Sequence, residues 1–222
     1  MIRCFVCLFS MVILFAACEE TKIIDVKSRI RFINASHNSG DVNLFVDYQK
    51  IYATDVQYLN YSKFREYITA KRKIEIKNAA GQLLVDTAIT LAENKAYSLI
   101  LYDSANQVRY RQIQEEFIPT GGSSCKIRFL HLSNDALSVN VTQDLDTTVH
   151  FRNYKNGDWS DYTIFPSGQH YFNVNGLNVN YIQGMTDLKA GSFYTMYLKG
   201  NTNSFNADSL GIFVIENNGN YD

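Results

Sequence analysis

The sequence predicts an all-β protein built as two tandem immunoglobulin-like β-sandwich domains, and three observations predict it: an internal repeat, a hydrophobic period of two, and a strand-favouring composition. "SRIRFINASHNSGDVNLFVD" from Ser28 and "CKIRFLHLSNDALSVNVTQD" from Cys125 align without gaps at an offset of 97 residues. They share Ile30/Ile127, Arg31/Arg128, Phe32/Phe129, Ser36/Ser133, Val42/Val139, Asn43/Asn140 and Asp47/Asp144. The far end of the unit keeps the same offset of 97, with Leu91/Leu188, Tyr97/Tyr194 and Leu101/Leu198 matched. Self-similarity at a fixed offset marks a duplicated structural unit.

Within each unit apolar residues alternate with polar ones. Ile30 and Phe32 alternate with Arg29 and Arg31, and Ile74 and Ile76 with Lys73, Glu75 and Lys77. Val42, Leu44 and Val46 flank Asn43 and Phe45. That is the pattern of strands with one buried face. Further strands are predicted at 83–91, 96–102 and 108–113, then at 148–152, 169–174, 181–185, 193–199 and 210–216. The composition agrees, with 15 Tyr and 14 Phe but 2 Pro, because aromatic residues suit a pleated surface and proline interrupts it. Roughly seven short strands per repeat indicate a sandwich. The Cys-Trp-Cys spacing of antibody domains is absent, so "immunoglobulin-like" refers to architecture.

The predicted organisation is a signal peptide over 1–17, a tether over 18–27, a first sandwich over 28–118, a linker over 119–124 ("PTGGSS") and a second sandwich over 125–222. The N-terminus "MIRCFVCLFSMVILFAACEE" has one basic residue, Arg3, then an uncharged run from Cys4 to Ala17. Such a run is too short for a transmembrane helix, which needs roughly 20 apolar residues, and fits a cleaved secretory signal. "FAAC", with Phe15 where Leu is usual, resembles the lipobox of bacterial lipoproteins. The resemblance implies cleavage after Ala17 and lipidation of Cys18, whose acyl chains would hold the mature body on a membrane. The Cys4-x-x-Cys7 motif falls within the discarded segment. Cys18 and Cys125 remain, and a lipidated Cys18 leaves no intramolecular disulfide to form.

The motifs "RIRFINAS" with "DVNLFVD", and "KIRFLHLSND" with "SVNV", are similar to the opening strands of the domain-of-unknown-function family numbered 4397. "AYSLIL" and "FYTMYL" resemble its closing aromatic strand. Here Asn43 and Asn140 stand at the Asp of the family's Val-Asp-Val strand. The resemblance spans both repeats and implies a secreted or lipid-anchored bacterial protein, adhesion-like in some members, without established catalytic residues.

Candidate chemistry is sparse. His131 shares a strand face with Ile127 and Phe129, aligns with Asn34, and reads as a core polar group bonded to a neighbouring strand. His150 and His170 stand singly, outside any metal-ligand spacing. Cys125 aligns with Ser28 at a strand start, without a partner base. "DLD" (144–146) lacks the glycine and terminal Glu of a calcium loop. Lys71, Arg72 and Lys73 read as a solvated hairpin tip that discourages edge pairing. The runs "NVNGLNVN" and "NNGNYD" read as turns, since Asn tolerates left-handed conformations. Trp159, the single tryptophan, and Tyr162 are the candidate ligand contacts, because an aromatic face beside amide donors suits a sugar. Asp86-Thr87-Ala88, Asp103-Ser104-Ala105, Asp146-Thr147-Thr148 and Asp208-Ser209-Leu210 resemble bacterial O-glycosylation acceptors.

The charge balance excludes a nucleic-acid partner: residues 28–124 carry 12 basic and 10 acidic groups, and residues 125–222 carry 6 and 9. No cofactor and no metal are expected. The expected function is non-catalytic: a lipid-anchored envelope protein, in the outer membrane, acting in binding, adhesion or envelope assembly. Its partners would be the membrane through Cys18 and an envelope protein or glycan. The alternatives are a surface carbohydrate-binding lipoprotein and, third, a hydrolase.

Overall fold

The computed structural model describes residues 26–104, 107–143, 148–206 and 209–217. The expected signal peptide and Cys18 lie outside them. In the first half the strands are β1 (Lys27–Ala35), β2 (Val42–Val46), β3 (Gln49–Lys50), β4 (Asn60–Tyr61), β5 (Arg65–Ile68), β6 (Lys71–Asn78), β7 (Leu83–Thr90), β8 (Ala96–Ser104) and β9 (Gln107–Glu115). In the second they are β10 (Ser124–His131), β11 (Val139–Gln143), β12 (Val149–Tyr154), β13 (Thr163–Pro166), β14 (Gly168–Gly176), β15 (Val179–Leu188), β16 (Phe193–Lys199) and β17 (Gly211–Glu216).

The fold is all-β, with four sheets in two halves. The first half stacks the sheet β4-β1-β8-β9, with β5 also on β1, against the sheet β3-β2-β6-β7. The second stacks β13-β10-β16-β17 against β12-β11-β14-β15. The repeat is visible in the registers. β1 runs parallel to β8 with Arg29 opposite Ala96, and β10 runs parallel to β16 with Lys126 opposite Phe193. Both partners move by the same offset.

Each sandwich encloses its own core. Ile30, Phe32, Val42, Leu44, Ile74, Ile76, Leu99 and Leu101 fill the first. Ile127, Phe129, Val139, Val141, Phe151, Phe172, Met196 and Leu198 fill the second. The alternation of β2 holds, with Val42, Leu44 and Val46 buried and Asn43 and Phe45 half-buried.

The alternation of β1 and β10 does not predict their burial, and this corrects the expectation of one solvated face. Arg31 and Arg128 are each 2% exposed, and nearly every residue of both strands is buried. The reason is a third apolar cluster, between the sandwiches. Ile33, Ala35, Ile100, Tyr102 and Ile113 from the first half meet Leu130, Leu132, Tyr197 and Ile215 from the second. The outer faces of the two β1-type sheets therefore cover each other. Parallel strands buried on both faces are the usual consequence of such layering.

Candidate functional site

Three buried charged side chains, Arg31, Arg128 and Glu115, meet in this seam. Arg31 Nη2 donates to Glu115 Oε1 at 2.9 Å and to Asn217 Oδ1 at 2.8 Å, and Arg128 Nη2 donates to the same Glu115 Oε1 at 2.6 Å. Each guanidinium is held from behind: Arg31 Nε donates to Ser98 Oγ at 2.6 Å, and Arg128 Nε to Thr195 Oγ1 at 2.9 Å. Ser98 Oγ also donates to Glu115 Oε1. Asn217 Nδ2 donates to Thr195 Oγ1 at 2.5 Å and to the Tyr162 hydroxyl at 2.9 Å, and that hydroxyl donates to Glu115 Oε2 at 3.0 Å.

These partners are related two by two. Arg31 and Arg128 match at the repeat offset, and so do Ser98 and Thr195. Glu115 ends β9 opposite Ala96, and Asn217 directly follows β17 beside Phe193, whose carbonyl takes the Asn217 N–H. Arg31 reaches across to Asn217 while Arg128 reaches across to Glu115, the reciprocity of an isologous two-fold contact. The aromatic covers correspond too, with Arg31 4.9 Å from the Phe64 ring and Arg128 5.1 Å from the Tyr162 ring. Phe117, in the connection, packs edge-on against Phe64 and Phe193 and closes the seam. Burial alone would push the Glu115 carboxyl up, but the two arginines and Ser98 outweigh it and hold it down at about 2. This constellation holds the halves together with its charges facing one another, and Arg128 and Tyr162 also border a hollow of about 260 Å3 that Trp159 lines.

The sequence-predicted residues fall around that seam. Tyr162 is half-buried, with its hydroxyl taken by Glu115 and Asn217. Trp159 lies between β12 and β13, bridges to Leu130, and is 41% exposed. Arg111 from β9 covers one face of its indole at 4.5 Å. The Arg111 guanidinium also donates to Gly157 O at 3.0 Å. Trp159 walls two hollows: one of about 260 Å3 with Gln114, Glu116, Lys126 and Asp161, and one of about 330 Å3 with Arg152, Asn153, Tyr154 and Asp158.

A larger cleft was not anticipated. It measures about 960 Å3 and opens beside the loops after β10 and β16. Asn134, Asn156, Asn201 and Asn203 bring amides to it, and Leu137 and Leu177 bring apolar surface at 54% and 85% exposure. Its frame is fixed by hydrogen bonds. Asn134 Nδ2 donates to Asn201 Oδ1 at 2.9 Å, Asn156 Nδ2 to Ser133 O at 2.6 Å and to Asp103 O at 2.9 Å. Asp135 accepts from Thr202 N at 2.8 Å and Thr202 Oγ1 at 2.7 Å. The asparagine excess of the second half was the available signal, and it reads as turn chemistry until folding brings 134, 156 and 201 together.

The remaining candidates are structural in their surroundings. His131 is fully buried and its Nε2 bonds Leu137 O at 2.9 Å, in the loop before β11 rather than on a neighbouring strand. Asn34 does the same to Gly40 O at 2.9 Å, at the repeat offset. Burial pushes the His131 imidazole below its ordinary value. Burial likewise pushes the Cys125 thiol up to about 11. His170 bonds Pro166 O at 3.0 Å and Gln143 Nε2 at 2.8 Å, and His150 packs on Phe165. Among the described residues no three His, Cys, Asp or Glu side chains converge on a metal position. Asp86 on β7 pairs with Lys73, and Asp103 is buried against Ser36. "DLD", Asp146-Thr147 and Asp208 lie outside the described residues.

No curated protein matches the chain. Among solved structures, the Bacillus anthracis TIE protein is similar at a TM-score of 0.27 and 8% identity, over 78% of this chain and 34% of that one. The chain thus spans about a third of that structure's length. A structure described as alpha-glucan binding by a streptococcal virulence factor is similar at a TM-score of 0.26 and 12% identity, over 83% of this chain and 96% of that one. The family comparison is decisive, because one family model matches twice, over residues 28–142 and 125–221, in the tandem arrangement that the repeat requires. The chain belongs to the family described as "Domain of unknown function (DUF4397)".

Proposed function

We propose that this protein is an envelope lipoprotein whose two sandwiches form one rigid, non-catalytic binding body. Cleavage after Ala17 and lipidation of Cys18 would place that body on a membrane, the outer membrane by this reading, where it serves binding, adhesion or envelope assembly. Both sandwiches are immunoglobulin-like within it, which the two packed sheets of each half support.

One observation carries the reading: the cleft of about 960 Å3 offers amides and exposed leucines on a hydrogen-bonded frame. Fixed neutral donors and acceptors beside apolar surface suit recognition. Asp135 has both carboxylate oxygens engaged by Thr202, which suits a framing role. The buried charges of Arg31, Arg128 and Glu115 are spent on one another in the seam.

A pull-down from intact envelopes with the soluble body, residues 19–222, tests it. A specific envelope protein should be captured, and Leu137→Asp with Leu177→Asp should lose it. No capture, or capture indifferent to that pair, refutes the assignment. For the anchor, radioactive palmitate should label the wild type and not Cys18→Ser.

A further inference from the structure

Tyr61 and Trp159 occupy corresponding places. Tyr61 pairs with Ile33 on β1, and Trp159 bridges to Leu130 on β10, 97 residues further on. The serine after each aromatic makes the same two bonds. Ser62 N donates to Phe32 O and Ser62 Oγ accepts from Phe32 N, both at 2.8 Å; Ser160 does so with Phe129, both at 2.9 Å. The two aromatics are almost equally exposed, at 43% and 41%.

Each aromatic walls a shallow hollow, of about 210 Å3 at Tyr61 and about 330 Å3 at Trp159. The first adds Tyr52, Asp55, Asn60 and Arg65; the second adds Tyr154, Asp158, Asn153 and Arg152. Tyr61 and Trp159 are 98 residues apart, as are Asn60 and Asp158 just before them, and the other residues of the two hollows do not correspond. The same set of a second tyrosine, an aspartate, an asparagine and an arginine is thus assembled from different positions. Duplication alone does not produce that. Several of these groups are already positioned by the protein: Asp55 by Lys50 at 3.0 Å, Asp158 by the Lys155 N–H at 2.8 Å, Asn60 by the Tyr61 N–H at 2.9 Å. A carboxylate has four lone-pair directions, so one bond leaves acceptor capacity over.

We infer that the two hollows are equivalent carbohydrate subsites, with Tyr61 and Trp159 as stacking platforms, and that the ligand is a neutral polysaccharide engaged at both. A pyranose ring presents a C–H face to an aromatic surface and hydroxyls that both donate and accept at its rim. Aspartate accepts from those hydroxyls, arginine donates to them, and asparagine does both. Each hollow carries both signs of charge, Asp55 with Lys63 and Arg65 in one and Asp158 with Arg152 in the other, and a ligand without charge of its own meets both. Two weak subsites on one rigid body bind a polymer by avidity, since the second contact is intramolecular.

This inference rests on the binding-body reading, yet the two fail separately. The envelope pull-down scores a protein at the amide-lined cleft and involves neither Tyr61 nor Trp159. The test is affinity electrophoresis of the soluble body in native gels cast with soluble starch, dextran, laminarin, arabinoxylan or mannan. Retardation is expected in at least one gel. Trp159→Ala and Tyr61→Ala should each weaken it about tenfold, and the double variant should migrate as in a blank gel. Tyr48→Ala, an exposed tyrosine outside both hollows, should be retarded like the wild type. Unchanged near-ultraviolet circular dichroism away from the indole band guards against misfolding. Retardation in none of the five gels, or retardation kept by the double variant, overturns the inference.

Discussion

Arg31 and Arg128 donate to one and the same atom, Oε1 of Glu115, at 2.9 and 2.6 Å from opposite sandwiches. Two buried cations share one anion, and the position corresponding to Glu115 in the second half is the neutral Asn217. Removing one partner of a buried charge set costs more than the set contributes, because the remaining charges stay desolvated. Glu115→Gln should therefore destabilise the protein by roughly 3–5 kcal/mol, measured by urea unfolding at pH 7. A loss below about 1 kcal/mol, the range of an exposed pair, would show that the arginines are not confined there.

The same carboxylate makes stability acid-sensitive. Its folded value, about 2, lies below its ordinary 4.5. A depressed value means that stability is present above about pH 4.5 and is lost as pH falls from there towards 2. The shift corresponds to about 3 kcal/mol. Urea midpoints should fall over that window in the wild type and fall less in Glu115→Gln, where the titrating group is gone.

His131 contributes a separate, milder step. Burial lowers its folded value below the ordinary 6.5. The neutral ring donates from Nε2 to Leu137 O, and Nδ1 has no partner among the described residues. Stability from this group is present above pH 6.5 and declines below it. His131→Asn, copying Asn34, should flatten the stability profile between pH 7 and 5. An unchanged slope would place the titration elsewhere.

Gly157 shows how closely the halves approach. Its φ is +85°, and a Cβ there would lie 2.8 Å from the hydroxyl of Tyr102, a buried residue of the other sandwich. Gly157→Ala should cost about 2 kcal/mol or more, combining left-handed strain with overpacking. Gly81→Ala, at a φ of +81° with open space around it, should cost only the left-handed strain, about 1 kcal/mol. Equal losses in the two variants would argue against the close approach.

Much of this was legible in the sequence, for local reasons. The offset of 97 fixes two copies, and period-two alternation marks β2 well because it has one sandwich face, whereas in β6 Glu75 is buried between Ile74 and Ile76. The same alternation misleads at β1, where Arg31 looks solvated and is covered by the other half. Arg31/Arg128 and Ser98/Thr195 matched across the repeats, but Glu115 has no counterpart at that offset. The β16–β17 connection runs from Lys199 to Gly211, whereas β8 and β9 are joined between Ser104 and Gln107. The extra residues displace Asn217 from register, hiding the constellation from an ungapped comparison. Trp159 was legible as a lone aromatic, while Tyr61 was one tyrosine among 15 until folding set it at the matching place.

The central claim is that the seam joins the sandwiches without help from the chain connecting them. A protease site inserted between Gly121 and Gly122, in the exposed connection, allows that chain to be cut after folding. Size-exclusion chromatography of the cut protein at neutral pH should give one peak containing both fragments, and the Glu115→Gln background should release them. Separate elution of the two wild-type fragments would contradict the account.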